Sequence, residues 1–238
     1  MSTDDAKQHK SLIRVLFIQF LIFIIATLGF IPLIIFVYAV YYVFNPHLLL
    51  HWILLPVFIY FASIILLVSQ YLISGIFISV FNIKYEPGTY PYELKNKNAL
   101  KWVIVCSLYT PGRKILEIFP LGFLKYTYLK LVGMKIGTNS LVGGVIKDPC
   151  VTSFGDNTTM GEYAIIYAHI HNVEKGTITI KKVTIGNNCV IGAGAIIMPG
   201  VTIEDNVIVA AGALVPQDQV LKKGNIYAGI PAKEIKKK

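Results

Sequence analysis

The stretch Val183-Thr-Ile-Gly-Asn-Asn-Cys-Val-Ile-Gly-Ala-Gly-Ala-Ile-Ile-Met-Pro-Gly-Val-Thr-Ile203 decides the fold. Within it Ile185, Ile191, Ile197 and Ile203 recur every sixth residue, and the phase continues through Val209, Val215 and Leu221. The same spacing upstream picks out Ile136, Val142, Asp148, Phe154, Met160 and Ile166, of which only Asp148 is not apolar. Gly137, Gly143, Gly155, Gly161, Gly186 and Gly192 each follow a repeat-start residue. A six-residue period is the mark of a β-helix, in which each six-residue side is a short strand plus a corner and three sides close one coil. The repeat-start side chain points inward, and a small residue beside it lets the backbone turn.

Asparagine fixes the coil length. Asn139 and Asn157 are 18 residues apart, as are Asn188 and Asn206, each three residues after a repeat start. Asparagine tolerates the left-handed conformation of tight corners, and stacked asparagines can bond along the stack. Asn157 and Asn188 are 31 residues apart, one coil plus 13, so a loop is inserted within residues 168–182. It carries His169, His171 and Glu174, including the only histidines after residue 51. Loops on a rigid scaffold are where chemistry concentrates. A histidine with a nearby carboxylate suits general-base catalysis, because imidazole exchanges a proton near neutral pH while the acid orients it.

The other half of the chain is of a different kind. Apolar residues make up 55% of the 238, and mean hydropathy is +0.62. Residues 12–44 carry only Arg14 and Gln19 as strongly polar side chains, and residues 48–81 carry no charge. About 20 apolar helical residues cross a bilayer core. Both stretches exceed that and far exceed a signal-peptide core. Neither has the polar face of a soluble helix. Wholly helical, each would run about 50 Å, which predicts tilt, kinks near Pro32 and Pro56, or projecting ends. Pro46 separates them. Lys7 and Lys10 precede the first stretch and Arg14 stands at its start, Lys84, Lys95, Lys97 and Lys101 follow the second, and no Lys or Arg lies between the two. The positive-inside rule then places both termini in the cytoplasm.

The expected organisation is an N-terminal tail (1–11), a two-helix transmembrane anchor (12–81), linker or interfacial helices (82–133) and a β-helix (134–238). In the linker, Glu86-Pro-Gly-Thr-Tyr-Pro91 is turn chemistry, followed by expected helices over residues 93–108 and 112–132. The second mixes Phe119, Phe123, Tyr126 and Tyr128 with Lys114, Lys125 and Lys130. That mixture suits either the headgroup region or packing on the catalytic domain. The net charge of +9 suits an anionic membrane surface or a phosphate-bearing ligand. The lysines are scattered and no nucleic-acid motif appears, so no nucleic-acid partner is expected. Cys106, Cys150 and Cys189 are odd in number and lack paired spacing, which reads as reduced, packing thiols.

Residues 136–235 resemble the hexapeptide-repeat acyltransferases, carried by the 183–203 stretch and the ending Tyr227-Ala-Gly-Ile-Pro-Ala-Lys233. A narrower resemblance joins Pro-Gly-Thr-Tyr-Pro91, Leu129-Lys-Leu-Val-Gly-Met-Lys-Ile-Gly137 and His171-x-x-Glu174-x-Gly176 to the membrane-embedded C-terminal region of poly-lysine-synthase-like proteins. The resemblance implies an all-β, left-handed parallel β-helix that forms homotrimers with an acyl-CoA between neighbouring prisms. It implies His171 as the base that deprotonates an acceptor hydroxyl or amine for attack on the thioester, with Glu174 orienting it and His169 beside it. Acetyl-CoA or another acyl-CoA is the donor, and no metal is expected. Backbone amides of Ala193 and Ala211 match positions that hold the thioester oxygen and pantetheine arm, Gly229 and Pro231 shape the terminal turn, and Lys233 meets the CoA phosphates. Many relatives carry Thr-Lys or Lys-Asp where this chain has Pro216-Gln217. The acceptor expected beside the membrane is a lipid-linked sugar, a lipid headgroup or a polymer. Two alternatives stand. A non-catalytic trimeric membrane scaffold explains fold and anchor but not the histidine loop. A zinc carbonic anhydrase of the same fold needs three histidines, whereas the domain offers His169 and His171, with Ser153 one coil before.

Overall fold

The structure is a computed structural model that describes residues 3–45, 47–118 and 122–235, with side chains described from residue 13 onward except at residue 118. Pro46, Phe119 and Lys238 lie outside the described residues. The chain divides into two compact units, residues 1–82 with 104–128, and residues 83–103 with 129–238.

The first unit is helical. α1 (Thr3–Leu28), α2 (Ile31–Val43) and α3 (Leu49–Val80) carry the two apolar stretches. α1 reaches back to Thr3, so the expected N-terminal tail is largely helix. The break anticipated at Pro32 falls just before it, at Gly29-Phe30, and Pro56 sits inside α3 without ending it. Opening the backbone there frees carbonyls, and α3 supplies donors. Ser69 Oγ donates to Gly29 O (2.6 Å) and Gln70 Nε2 to Ala26 O (3.0 Å). In an apolar surrounding, such groups need internal partners. Residues 13–43 and 49–80 are long and apolar enough to cross a membrane. Their large side chains, among them Phe17, Phe20, Phe23, Ile34, Ile35, Leu49 and Ile53, are exposed.

The linker differs from expectation. Gly88–Pro91 is a strand, β1, where the sequence read as a turn. The helices are α4 (Lys97–Ile118), which runs through Pro111, and α5 (Gly122–Leu131). α4 therefore runs on past the boundary expected near residue 110.

The second unit winds through three parallel sheets in rotation. Its first coil is β2 (Lys135–Ile136), β3 (Leu141–Val142) and β4 (Val145–Ile146); the second is β5 (Thr152–Phe154), β6 (Thr159–Met160) and β7 (Ile165–Ile166). A hairpin follows, β8 (His169–Asn172) and β9 (Thr177–Ile180). The third coil is β10 (Val183–Ile185), β11 (Val190–Ile191) and β12 (Ile196–Ile197); the fourth is β13 (Thr202–Ile203), β14 (Ile208–Val209) and β15 (Leu214–Val215). β16 (Val220–Leu221), β17 (Ile226–Ala228) and an antiparallel β18 (Lys233–Ile235) close the end. Register is in phase, Ile185 opposite Ile203 and Phe154, Ile197 opposite Val215 and Ile166. The repeat-start side chains are buried from Ile136 to Leu221, and Tyr227 continues the phase.

Asp148 is the exception. The third side of the first coil is short, so Ile146 pairs with Ile166 and takes the core position expected for residue 148. Asp148 is set free beyond β4.

The corners explain the glycines. A Cβ on Gly155 would stand 2.7 Å from Gly186 O, and one on Gly192 would stand 2.4 Å from Ala211 N. Neighbouring coils approach too closely for a side chain there. Asn139, Asn157, Asn188 and Asn206 all have positive φ. The stacking bonds, however, come mainly from the residue before each asparagine. Thr138 N donates to Asp156 Oδ1 (2.6 Å), Asp156 N to Asn187 Oδ1 (2.7 Å) and Asn187 N to Asp205 Oδ1 (2.7 Å). Burial pushes the Cys150 and Cys189 thiols above their ordinary values, which fits packing residues rather than nucleophiles.

Candidate functional site

The loop expected within residues 168–182 is the β8–β9 hairpin. Alternating Thr177-Ile-Thr-Ile180 favours a strand that buries Ile178 and Ile180. The turn closes with Gly176 at φ +58 and with Lys175 N donating to Asn172 Oδ1 (2.9 Å). β1 adds antiparallel to β9, Gly88 opposite Ile180 and Pro91 opposite Thr177, making three strands.

Successive alternate residues of a strand share a face, so His169 and His171 project together, ring centroids 5.0 Å apart. His169 Nδ1 lies 2.7 Å from Asp148 Oδ2. Asp148 is fully buried. Its Oδ2 also accepts from Ala168 N (3.0 Å), and its Oδ1 accepts from Tyr85 Oη (2.9 Å) and Trp102 Nε1 (3.3 Å). Three converging donors, Ala168 N, Tyr85 Oη and Trp102 Nε1, suit a carboxylate, which accepts at both oxygens and donates at neither. His169 then places Nδ1–H on the carboxylate and turns the Nε2 lone pair outward. Its side chain is 15% exposed. Trp102 meets both imidazoles edge-on, at 5.2 Å from His169 and 5.4 Å from His171. Tyr92 stacks on His171 at 5.3 Å.

The structure thus differs from the sequence reading in which histidine is oriented and by what. Glu174 lies exposed in the β8–β9 turn, where no hydrogen bond or ion pair joins it to either histidine. His171, favoured on sequence, is exposed and held by ring contacts alone. The carboxylate in contact with a histidine is Asp148, and the histidine it contacts is His169. Asp148 had a signal, the one polar residue at a repeat-start position. Tyr85 and Trp102 carried none.

The expected cofactor residues occupy two other places. Ala193 and Ala211 stack on successive coils at the corner between β11 and β12 and between β14 and β15, with Gly212 N donating to Ala193 O (2.9 Å). Among the described residues the amides of Ala193 and Ala211 donate to no protein acceptor, unlike those of Gly192, Gly194 and Gly212 on either side. Gly229, at φ +95, and Pro231 form the β17–β18 turn, with Ala232 N donating to Leu214 O (2.7 Å). Lys233 is exposed on β18, opposite Ala228. The hairpin leaves from one edge of the β4–β7–β12–β15 face, and the Ala193 and Ala211 amides line the opposite edge. Among the described residues no three His, Cys, Asp or Glu side chains form a group able to hold a metal ion.

Residues 182–217 match the family described as "Bacterial transferase hexapeptide (six repeats)", so this part of the chain is a hexapeptide-repeat segment. No curated protein matches the chain. Similar solved structures include a maltose O-acetyltransferase from Clostridium difficile 630, 21% identical over 63% of this chain and 92% of that one, TM-score 0.46. A hexapeptide-repeat-containing acetyltransferase from Vibrio cholerae is 16% identical over 57% and 92%, TM-score 0.45. A galactoside acetyltransferase in complex with coenzyme A is 24% identical over 48% and 70%, TM-score 0.39.

Proposed function

We propose that this hexapeptide-repeat chain is a membrane-anchored, acyl-CoA-dependent acyltransferase whose left-handed β-helix works at the cytoplasmic face. The single observation that carries the reading is the buried Asp148 bonded to His169 at the one interruption of the solenoid. In this reading His169 Nε2 takes the proton of an acceptor hydroxyl or amine. The acceptor atom bonds to the thioester carbonyl carbon, and the C–S bond breaks as the tetrahedral intermediate collapses. The proton passes from the imidazolium to the leaving CoA thiolate, so the base is regenerated. Asp148 stabilises the imidazolium that forms between these steps. The undonated amides of Ala193 and Ala211 supply donors for the cofactor's carbonyls, and an amide aimed at developing negative charge lowers the barrier. Gly229 and Pro231 shape, and Lys233 charges, the place for the CoA phosphates.

Anchoring rests on two long apolar segments whose large side chains face outward, a poor arrangement in water. Tyr38, Tyr41, Tyr42, Phe44 and Trp52 cluster near the turn between them, as aromatic residues do at a membrane–water boundary. The acceptor is then a membrane-associated molecule: a lipid-linked sugar, a lipid headgroup or a polymer.

Purified protein incubated with acetyl-CoA and a membrane lipid extract should release free CoA thiol, read with a chromogenic disulfide. A scaffold releases none above the buffer rate, and that result sinks the proposal. Mass spectrometry of lipids and envelope glycans from a deletion strain would identify the acceptor.

A further inference from the structure

Asp148 is held separately at its backbone and at its side chain. Its carbonyl accepts from Thr152 Oγ1 (2.8 Å) and Val151 N (3.3 Å), which hold the short helical turn Pro149–Val151 at the start of β5. The freedom that remains is in the side chain, where χ2 is a broad torsion that sets which carboxyl oxygen faces which neighbour. The two oxygens have different partners. Oδ2 meets Ala168 N and His169 Nδ1, both at the start of the hairpin. Oδ1 accepts from Tyr85 Oη and Trp102 Nε1, which lie outside the solenoid repeats. Tyr85 is buried and Trp102 half-buried. Both belong to residues 83–103, the stretch that also lends β1 to the edge of β9.

We propose that Tyr85 and Trp102 are positioning residues that clamp Asp148 Oδ1, so that Oδ2 stays on His169 Nδ1 and the His169 Nε2 lone pair stays toward the acceptor; the inference rests on the reading of His169 as the base. Ala168 N alone does not fix the carboxylate, which can meet one donor through either oxygen. Two side-chain donors at Oδ1 leave a single orientation. A buried carboxylate that loses them turns to other donors or takes up a proton, because an unpaired buried charge is costly. Which ring nitrogen of a histidine carries the proton is set by the bond that the other makes. An Asp148 that turns or is protonated therefore releases the Nδ1–H tautomer, and a hydrogen on Nε2 leaves no lone pair there for the acceptor's proton. Trp102 acts twice. Its ring edge stands 5.2 Å from His169, which also has His171 at 5.0 Å and Tyr167 at 6.5 Å, so the imidazole is walled in while its nitrogen is held. The stretch 83–103 thus completes the site rather than merely joining two parts of the chain.

The test uses full-length protein in lipid nanodiscs, labelled with ¹⁵N-histidine and observed at about pH 8, above the ordinary imidazole range. The chain has five histidines, and loss of signal in His169→Gln identifies those of His169. Imidazoles protonated at Nδ1 and at Nε2 give different pairs of nitrogen shifts. Wild-type His169 should be in the Nδ1–H form. Tyr85→Phe and Trp102→Phe each remove one donor and keep an aromatic ring. Each should bring in the Nε2–H form and lower kcat about tenfold, the worth of one hydrogen bond to a charged group, with the KM for acetyl-CoA unchanged. The double variant should lose more of the Nδ1–H form than either alone. Thermal melts control for folding, and Trp102→Phe decides by itself if Tyr85→Phe does not fold. A His169 that stays Nδ1–H in the folded variants, whatever happens to Tm or kcat, marks Tyr85 and Trp102 as structural only and overturns the inference. So does a wild-type His169 that carries its proton on Nε2. Wild-type protein that shows the Nδ1–H form but releases no thiol with any acceptor would instead sink the transferase reading, and the spectra would still decide the clamp.

Discussion

Asp148 can orient one imidazole, and the 2.7 Å contact gives it to His169. His171, two residues on, is left to Tyr92 and Trp102. His169→Ala should therefore lower turnover by about 10²–10⁴-fold with folding intact. His171→Ala should cost far less and act mainly on the KM for the acceptor. Asp148→Asn keeps the shape but presents an NH₂ group to a cluster of donors, which disfavours the working tautomer; a loss of at least about 10²-fold is expected. Steady-state thiol release with thermal melts as the folding control checks all three, and a deeper loss from His171→Ala would reverse the roles. The histidine pair was legible in the sequence because it interrupts a strict period. The sequence reading gave the carboxylate's place to Glu174, three residues from His171, because an aspartate that meets His169 through space across 21 residues leaves no local sign of the pairing. Tyr85 and Trp102 reach Asp148 from 63 and 46 residues away, out of a segment with no periodicity to give them away.

Strands and corners of the solenoid were legible almost to the residue, because a six-residue period constrains every coil in the same way. The period failed only where the first coil shortens, and nothing local marks Ile146 rather than Asp148 as the core residue. β1 was hidden for another reason: Pro-Gly-Thr-Tyr-Pro has turn composition, and only the exposed edge of β9 makes it a strand. Two predictions belong at this scale. Gly192→Ala puts a Cβ 2.4 Å from Ala211 N, a backbone atom that cannot swing aside. A destabilisation of about 1–3 kcal/mol is expected, visible as a lower Tm, together with weaker acyl-CoA binding because the Ala211 amide shifts. The second concerns acid. The Thr138 amide and hydroxyl hold the Asp156 carboxyl below its ordinary value of 3.8. A value depressed in the folded state means this stabilisation is complete above the unfolded value and is lost as pH falls through the folded one. Asn187 makes the same amide-accepting bond one coil along without a charge. Asp156→Asn should keep neutral-pH stability and flatten the fall in Tm between about pH 5 and about pH 3. Identical slopes in the two proteins would show that the ladder does not titrate.

For the molecule as a whole, the proposed base and the proposed cofactor amides stand at two different edges of the β-helical unit. The histidine hairpin stands at one edge of the β4–β7–β12–β15 face and the undonated Ala193 and Ala211 amides at the other. The face between them is backed by buried, stacked Ile146, Ile166, Ile197 and Val215, which leave no room inside the prism for a long cofactor. We propose that a cyclic homotrimer resolves this. Rotation brings the histidine edge of one chain to the amide edge of the next, three times over, with equivalent clefts. Six membrane segments then belong to one assembly. The arrangement has a consequence that an intrachain site lacks. His169→Ala removes the base but keeps the amides and Lys233. Lys233→Glu keeps the base but opposes the CoA phosphates. Each variant alone should form trimers and turn over poorly at low acyl-CoA. Co-expressed with different affinity tags and purified through both, mixed trimers should regain a measurable part of wild-type activity. The Lys233→Glu chain lends His169 to the intact cofactor edge of the His169→Ala chain. If every site lies within one chain, each site in a mixed trimer still carries one lesion and activity stays at the level of the separate variants. Full activity from a detergent-solubilised monomer would equally refute the shared site.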